Sequence, residues 1–428
     1  MFFHVQPSVL TGTARPPTSK SHTIRCIIGG TLADGTSVVH DPLLSADGLA
    51  PLQGCSLLGG KFFWDSPDRS TLTIEGTSGE PTIPADVINV GNSGTTLYFL
   101  TGTTSLLPET TVLTGDPSIN GRPIQPVTEA LNQLGAQCYP TRSTGTPPVV
   151  VRGPLVGGQT TVAGTTSQFT SALLFAAPFA REETTITPSN LQEKPYVRMT
   201  LEHLDRFGVS YETDPDLNSF SLADSQGFRS FERFVPGDFS SAAFLLGAGV
   251  LVGDPVVVEN LDFSDHQADK VFATVLSDMG GDVHISGSSI TVKQSALTGT
   301  TVDLSQCPDL LPILSVVATQ AEGTTQITKV GHARIKETDR ISVMRSELTK
   351  MGANIEETTD GLIITGGKLN GAKVQGHHDH RIVMALAVAG LVASGETVVD
   401  TAEATQVSYP TFANQITSLG ATLRIRKD

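Results

Sequence analysis

The sequence predicts a mixed α/β protein of two domains, each built from three copies of one module. Six times a large apolar residue precedes a glycine at the end of an amphipathic stretch: Leu58-Gly59, Leu134-Gly135, Phe207-Gly208, Met279-Gly280, Met351-Gly352 and Leu419-Gly420. Glycine after the last periodic residue stops a helix, because it reaches the left-handed conformation with no Cβ penalty. Successive glycines are 76, 73, 72, 72 and 68 residues apart, a regularity that marks an internal repeat. At 428 residues, six equal modules divide most simply into two sets of three.

Within a module the order reads helix, short turn, strand, polar loop, second helix ending at the glycine, and a further strand. In the fifth copy these are DLLPILSVVATQ, AEGT, TQITKV, GHARIKETD, RISVMRSELTKMG and ANIEETTDGLIIT. Val343, Leu348 and Met351 follow helical spacing, whereas TQITKV and GLIIT carry the β-branched content of strands. Each unit leaves an apolar helix face to bury, so three per domain are expected to pack helices inward under sheets. One crossover between domains is expected near Phe234 to Asp238, where VPGD precedes the helix SSAAFLLGAGVLVG. A second is expected just before Lys20, with Met1 to Ala14 as a single strand joining the C-terminal half. The expected domains are therefore 19–234 and 1–18 plus 235–428. Two parallel linkers at one place make a hinge, and closure around a ligand would exclude water. Gly247 and Gly249, inside the apolar helix, are expected to permit close helix packing.

Composition narrows the functional classes. Hydrophobic content is 39%, ordinary for a soluble globular chain. No apolar run approaches the ~20 residues that span a bilayer. The start MFFHVQPSVL lacks the basic residues and cleavage site of a secretory signal, so a cytoplasmic protein is expected. Cys26, Cys55, Cys138 and Cys307 have no CxxC spacing and read as small core residues. A formal charge of −15 argues against nonspecific nucleic-acid binding, which needs a basic surface. In so acidic a chain, clustered cations call for an anionic small molecule. There is no GxxxxGK[ST] phosphate loop.

The basic residues cluster at helix starts. Pro17-Thr18-Ser19-Lys20-Ser21-His22-Thr23-Ile24-Arg25 places hydroxyls and two cations where a loop becomes a helix, and free N–H groups there attract anions. Alone, such a segment is better explained by simple capping. The second module opens with Gly91-Asn92-Ser93-Gly94-Thr95-Thr96 and continues to Asn120-Gly121-Arg122-Pro123; the third has Thr165-Thr166-Ser167-Gln168-Phe169 and then Glu193-Lys194-Pro195-Tyr196. Recurrence at one position of every module gives them weight. In the fifth module Cys307-Pro308-Asp309 begins one helix, and Arg334 to Arg340 precedes or begins another. If helical, that stretch puts Lys336 and Arg340 on one face with Glu337 close by, and a solvated ion-pair ladder is the plain alternative. The sixth opens with His377-His378-Asp379-His380-Arg381, which raises a metal site but lacks HExxH or cysteine-partner spacing, so anion binding is preferred to metal.

In this order and spacing, SKSHTIR, GNSGTT, GRPI, TSQF, KPY, PGDFSSA, PDLLP, RIKETDR and DHRIVMA resemble the 5-enolpyruvylshikimate-3-phosphate (EPSP) synthase family, over nearly the whole chain and closest to its archaeal-type branch. The resemblance implies the enolpyruvyl transferase fold, a two-domain inverse α/β barrel of six βαβαββ repeats, three per domain. It implies transfer of the enolpyruvyl group of phosphoenolpyruvate to the 5-hydroxyl of shikimate 3-phosphate, with no cofactor or metal, in a monomer. By motif, Ser21 and Arg25 would hold the shikimate carboxylate, Thr166, Ser167 and Lys336 its 3-phosphate, and Gln168 and Tyr196 would line the acceptor site. Lys20, Gly94, Arg122 and Gln168 would serve phosphoenolpyruvate, with Arg340 and Arg381 on its carboxylate. Asp309 would take the acceptor proton, while Glu337 and Lys20 would handle the methylene carbon and the leaving phosphate.

Four positions depart from the family pattern. Tyr98 stands where arginine is usual, Val407 where many bacterial members have lysine, and His332 replaces an asparagine. Glu193 replaces a serine that contributes to the acceptor's phosphate site. A carboxylate ~4 Å from a phosphate costs on the order of 4 kcal/mol per unit charge at an effective dielectric of 20, so Glu193 is expected to point away. An enolpyruvyl transferase with another hydroxyl acceptor, and a silent ligand-binding homologue, stand as alternatives. UDP-N-acetylglucosamine enolpyruvyl transferase is disfavoured, since DPSINGR (Asp116 to Arg122) lacks that enzyme's reactive cysteine.

Overall fold

The glycines that end the six modules have φ of 99°, 90°, 79°, 92°, 92° and 113°, the left-handed region where a Cβ is penalised. The computed structural model describes residues 1–65 and 67–427. Every module carries two helices: α1 (Lys20–Leu32) and α2 (Ala46–Leu57), α3 (Gly94–Thr104) and α4 (Gln125–Gln133), α5 (Ser167–Ala176) and α6 (Lys194–Arg206), α7 (Phe239–Val252) and α8 (Phe272–Asp278), α9 (Leu311–Thr319) and α10 (Arg340–Lys350), α11 (His380–Val392) and α12 (Phe412–Ser418). The second of each pair runs into the module's terminal glycine.

The two helices of a pair differ in kind. The first is buried on nearly every side, α3, α7 and α9 along their whole length. The second is one-sided; α4 buries only Val127, Thr128, Ala130 and Leu131. Serine and threonine survive inside the buried helices by turning their hydroxyls onto the preceding turn, as Thr101, Thr104 and Ser315 do on the carbonyls of Leu97, Leu100 and Leu311.

Each module also owns a four-stranded sheet of one order. In the third, Gly158–Ala163 runs parallel to Thr184–Ser189, which pairs antiparallel with Phe220–Leu222, itself antiparallel to Tyr211–Thr213. The other five sheets repeat that arrangement. Three of them borrow a strand from elsewhere in the chain. Glu232–Phe234 completes the first module's sheet, Leu10–Ala14 the fourth's, and Phe2–Val5 the sixth's. The N-terminal segment is thus two strands serving two sheets, where a single strand was expected. Likewise ANIEETTDGLIIT is a hairpin of Asn354–Thr358 and Gly361–Thr365. The six four-stranded sheets and a two-stranded pairing of Ala33–Asp34 with Phe228–Arg229 are separate, and no sheet among the described residues closes on itself as a barrel.

The chain divides into two compact units, Thr18–Val235 and Met1–Pro17 with Pro236–Asp428. In the first, α3 packs on α1 and α5, and Phe175 stacks edge-on against Phe99 and Phe207 at 4.7 and 5.8 Å between ring centres. In the second, α7, α9 and α11 pack on one another. Gly247 lets α9 approach, since a Cβ there would lie 2.7 Å from Ile313; Gly249 instead faces the sheet, 2.2 Å from Val292. All four cysteines are unbonded and buried, and burial pushes the thiols of Cys26, Cys55 and Cys138 up to about 12. No described helix is long and apolar enough to cross a membrane.

Candidate active site

The motifs at the head of each module all lie where a buried helix begins. Ser19, Ser93, Thr166, Asp238 and Asp379 cap α1, α3, α5, α7 and α11, each side chain accepting from a backbone N–H of the first turn. At α9 a short 3-10 turn, Pro308–Leu310, takes that place. Every such N-terminus presents spare N–H groups and the positive end of the helix dipole.

In the C-terminal unit the charged residues converge on Arg340. Its Nη1 donates to Asp309 Oδ1 at 2.7 Å, Nη2 to Glu337 Oε2 at 2.6 Å, and Nε to Asp379 Oδ2 at 2.8 Å. The second oxygen of Asp309 accepts from Arg381 Nη2 at 3.0 Å. Arg340 and Asp379 are buried, while Asp309 is 25% exposed. Burial by itself would raise the Asp309 carboxyl, but the positive charges of Arg381, Lys336 and Arg340 outweigh it and hold the group well below the usual carboxylate range. The segment is not one helix. Gly331–Ile335 is a 3-10 turn and α10 starts only at Arg340, capped by Asp339, so Lys336 and Arg340 share no helix face. What reads as an ion-pair ladder is a buried guanidinium with three carboxylates.

In the N-terminal unit the expected residues fall into several groups. Lys20, the first residue of α1, holds Asp47 Oδ2 at 3.1 Å. Arg25 is buried; its Nε donates to Thr200 Oγ1 at 3.0 Å, Nη1 to the Ser21 carbonyl at 3.0 Å and Nη2 to the Tyr196 carbonyl at 3.3 Å. It therefore braces α1 against α6. Gly94 lies directly against the Arg122 guanidinium, where a Cβ would be 2.7 Å from Nη1. Tyr98 lies in the core, edge-on to Phe169, and its hydroxyl donates to the Pro123 carbonyl at 3.1 Å, fastening the Arg122 segment to α3.

Glu193 does not point away. Its Oε2 accepts from Thr166 Oγ1 at 2.8 Å, from Ser167 Oγ at 2.9 Å and from the Ser167 N–H at 3.0 Å. The carboxylate is 3% exposed, on a residue with φ +53° at the start of α6. A helix N-terminus and two hydroxyls satisfy the buried carboxylate in the free protein. Gln168 is held by its N–H on Thr166 Oγ1, at 3.4 Å.

Sequence reasoning passed over Asp379 and Asp47 as partners of the cations. Asp379 directly before an apolar run carries an N-cap signal, and Asp47 follows the cap Ser45 by two residues. It also passed over a chain, buried but for Glu202, in which Glu202 Oε1 accepts from Arg233 Nη1 at 2.6 Å, Arg233 Nη2 meets His22 Nδ1 at 3.0 Å, and that nitrogen meets His203 Nε2 at 2.9 Å. Burial, with His22 and Arg233 beside it, holds His203 well below its ordinary value. Among the described residues no group of His, Cys, Asp and Glu is arranged to hold a metal ion; His377 is taken up by Glu347 at 3.0 Å.

The fold is that of the enolpyruvyl transferases. The solved structure of the enolpyruvyl transferase NikO from Streptomyces tendae superposes with a TM-score of 0.78 at 17% identity, over 99% of this chain and 98% of that one. EPSP synthase from Acinetobacter baumannii superposes with a TM-score of 0.83 at 31% identity, over the full length of both. The profile of the EPSP synthase (3-phosphoshikimate 1-carboxyvinyltransferase) family matches residues 5–416, and the chain belongs to that family. Relatives named 3-phosphoshikimate 1-carboxyvinyltransferase include one from Acetivibrio thermocellus, 44% identical over 98% of this chain and 99% of its own, and one from Methanocella arvoryzae, 44% identical over 99% and 100%.

Proposed function

We propose that this chain transfers the enolpyruvyl group of phosphoenolpyruvate to the 5-hydroxyl of shikimate 3-phosphate, releasing phosphate. The observation that carries the reading is the arrangement around Arg340, with Asp309 and Glu337 on adjacent terminal nitrogens and Arg381 on the far side of Asp309. The addition step moves one proton off the acceptor hydroxyl and one onto the methylene carbon; elimination of phosphate from the tetrahedral intermediate then returns a proton from that methyl. Two carboxylates held by one guanidinium suit that traffic, Asp309 taking the hydroxyl proton and Glu337, with Lys20, serving the methylene and the leaving phosphate.

In the free protein Asp309 is a poor base, because Arg381, Lys336 and Arg340 hold it ionised. A substrate carboxylate placed on Arg340 and Arg381 competes for the same donors and raises the basicity of Asp309 when it is needed. Lys20, Gly94, Arg122 and Gln168 serve the phosphoenolpyruvate phosphate in this reading. Ser21 and Arg25 serve the acceptor's carboxylate, Thr166, Ser167 and Lys336 its phosphate, and Gln168 and Tyr196 its ring. Turnover in deuterium oxide tests the chemistry: addition and elimination leave deuterium in the product's methylene, and a direct displacement leaves none. A second reading, a hydroxyl acceptor without a phosphate, is favoured by the single observation that Glu193 fills the Thr166 and Ser167 donors.

A further inference from the structure

The donors at the start of α5 converge on a single oxygen. Thr166 Oγ1, Ser167 Oγ and the Ser167 N–H lie 2.8, 2.9 and 3.0 Å from Glu193 Oε2. A tight cluster of two hydroxyls and an amide at the positive end of a ten-residue helix is what one oxygen of a bound oxyanion asks for. Here the oxyanion is part of the chain. Capping does not explain it, for Thr166 already caps α5 and the Glu193 side chain makes no capping bond to α6. The residue also holds a left-handed backbone, φ +53°, which a glutamate adopts only where its surroundings demand it.

A carboxylate and a phosphate are both acceptors only, so the same three hydrogens cannot serve the two together, and their charges repel. We propose that Glu193 is a specificity-determining residue that acts as an internal competitor for the acceptor's phosphate: it occupies the phosphate donors in the free protein, and a phosphorylated acceptor binds by displacing it. The inference rests on the reading of shikimate 3-phosphate as acceptor. Affinity for that acceptor is then set by the exchange of one anion for another, whereas an acceptor lacking the phosphate leaves Glu193 in place.

Calorimetric titration of the full chain with shikimate 3-phosphate and with shikimate tests this, comparing the parent with Glu193→Ser and Glu193→Gln. The glutamine variant keeps the side chain's shape without its charge, and a thermal melt reports that each variant is folded. The expected result is a gain of about tenfold or more in affinity for shikimate 3-phosphate in both variants, with affinity for shikimate changed less than about twofold. Equal or weaker binding of shikimate 3-phosphate by both variants overturns the inference, as does a parallel gain for shikimate. Turnover of shikimate 3-phosphate by the parent, with no gain in the variants, removes the competitor role and leaves the proposed function standing. Absence of binding by parent and variants alike removes the acceptor reading and this inference with it.

Discussion

Asp379 grips Arg340 through both carboxylate oxygens, Oδ2 at 2.8 Å from Nε and Oδ1 at 3.2 Å from Nη2, with the aspartate fully buried. The same aspartate caps α11 by accepting from the Arg381 N–H at 2.9 Å. One residue therefore fixes both arginines that flank Asp309. Removing it leaves a buried guanidinium short of a counter-charge, which typically costs about 3–5 kcal/mol, beside about 1 kcal/mol for the lost cap. Asp379→Ala is expected to destabilise the C-terminal unit by that amount, and Asp379→Asn by less, as read by chemical denaturation.

The Asp309 carboxyl is held low, so its sign of pH dependence is settled. Its contribution to stability is complete above the ordinary carboxylate value and is lost only as pH falls through the depressed native value. Its carbon resonance is expected not to move between pH 7 and about 4 in the free protein. In Arg381→Met the value should rise toward, while staying below, the ordinary carboxylate range, because Lys336 and Arg340 still hold the group. An Asp309 that titrates near pH 6 in the parent protein counts against the ion-pair account.

Lys20 owes its placement to Asp47, 3.1 Å away and 3% exposed. Asp47→Ala should raise KM for phosphoenolpyruvate about tenfold, near 1.4 kcal/mol. The double variant Lys20→Ala, Asp47→Ala should be no worse than Lys20→Ala alone, because the aspartate acts through the lysine. Steady-state kinetics on the three proteins decides it, additive losses being the contrary result.

Gly280 ends the fourth module at φ +92°, and a Cβ placed there would meet nothing nearer than the Ala296 carbonyl at 3.4 Å. Space is available there but the conformation is not. Gly280→Ala is expected to cost about 1–2 kcal/mol by urea denaturation, and Gly280→Asn less, since asparagine tolerates the left-handed region.

The module pattern was legible because a helix-ending glycine is a local requirement that each copy must meet. Gly59 and Gly420 reveal their role without reference to any other part of the chain. The helix-start motifs were legible for a similar reason, as a cap and the turn it caps are neighbours in sequence. Strand exchange was legible only in part: Met1 to Ala14 was expected to join the C-terminal half, as it does, but nothing in Phe2–Val5 says that it pairs with Thr397–Val399 and Leu423–Arg426 while Leu10–Ala14 serves another sheet. The orientation of Glu193 was hidden as well. It depends on a left-handed residue 193 and on α6 approaching α5, which seats the carboxylate on the donors of Thr166 and Ser167. Arg340 could be read as one member of a surface ladder because the 3-10 turn Gly331–Ile335, which keeps Lys336 out of the helix that starts at Arg340, leaves no periodic signature.

Phosphate release from phosphoenolpyruvate, measured with shikimate 3-phosphate, shikimate or UDP-N-acetylglucosamine as acceptor and with the product weighed by mass spectrometry, bears most directly on the proposed function. Release that requires shikimate 3-phosphate, with a product heavier by one enolpyruvyl group, is the expected result. Release with another acceptor instead, or none with any of the three from protein shown to be folded, contradicts it.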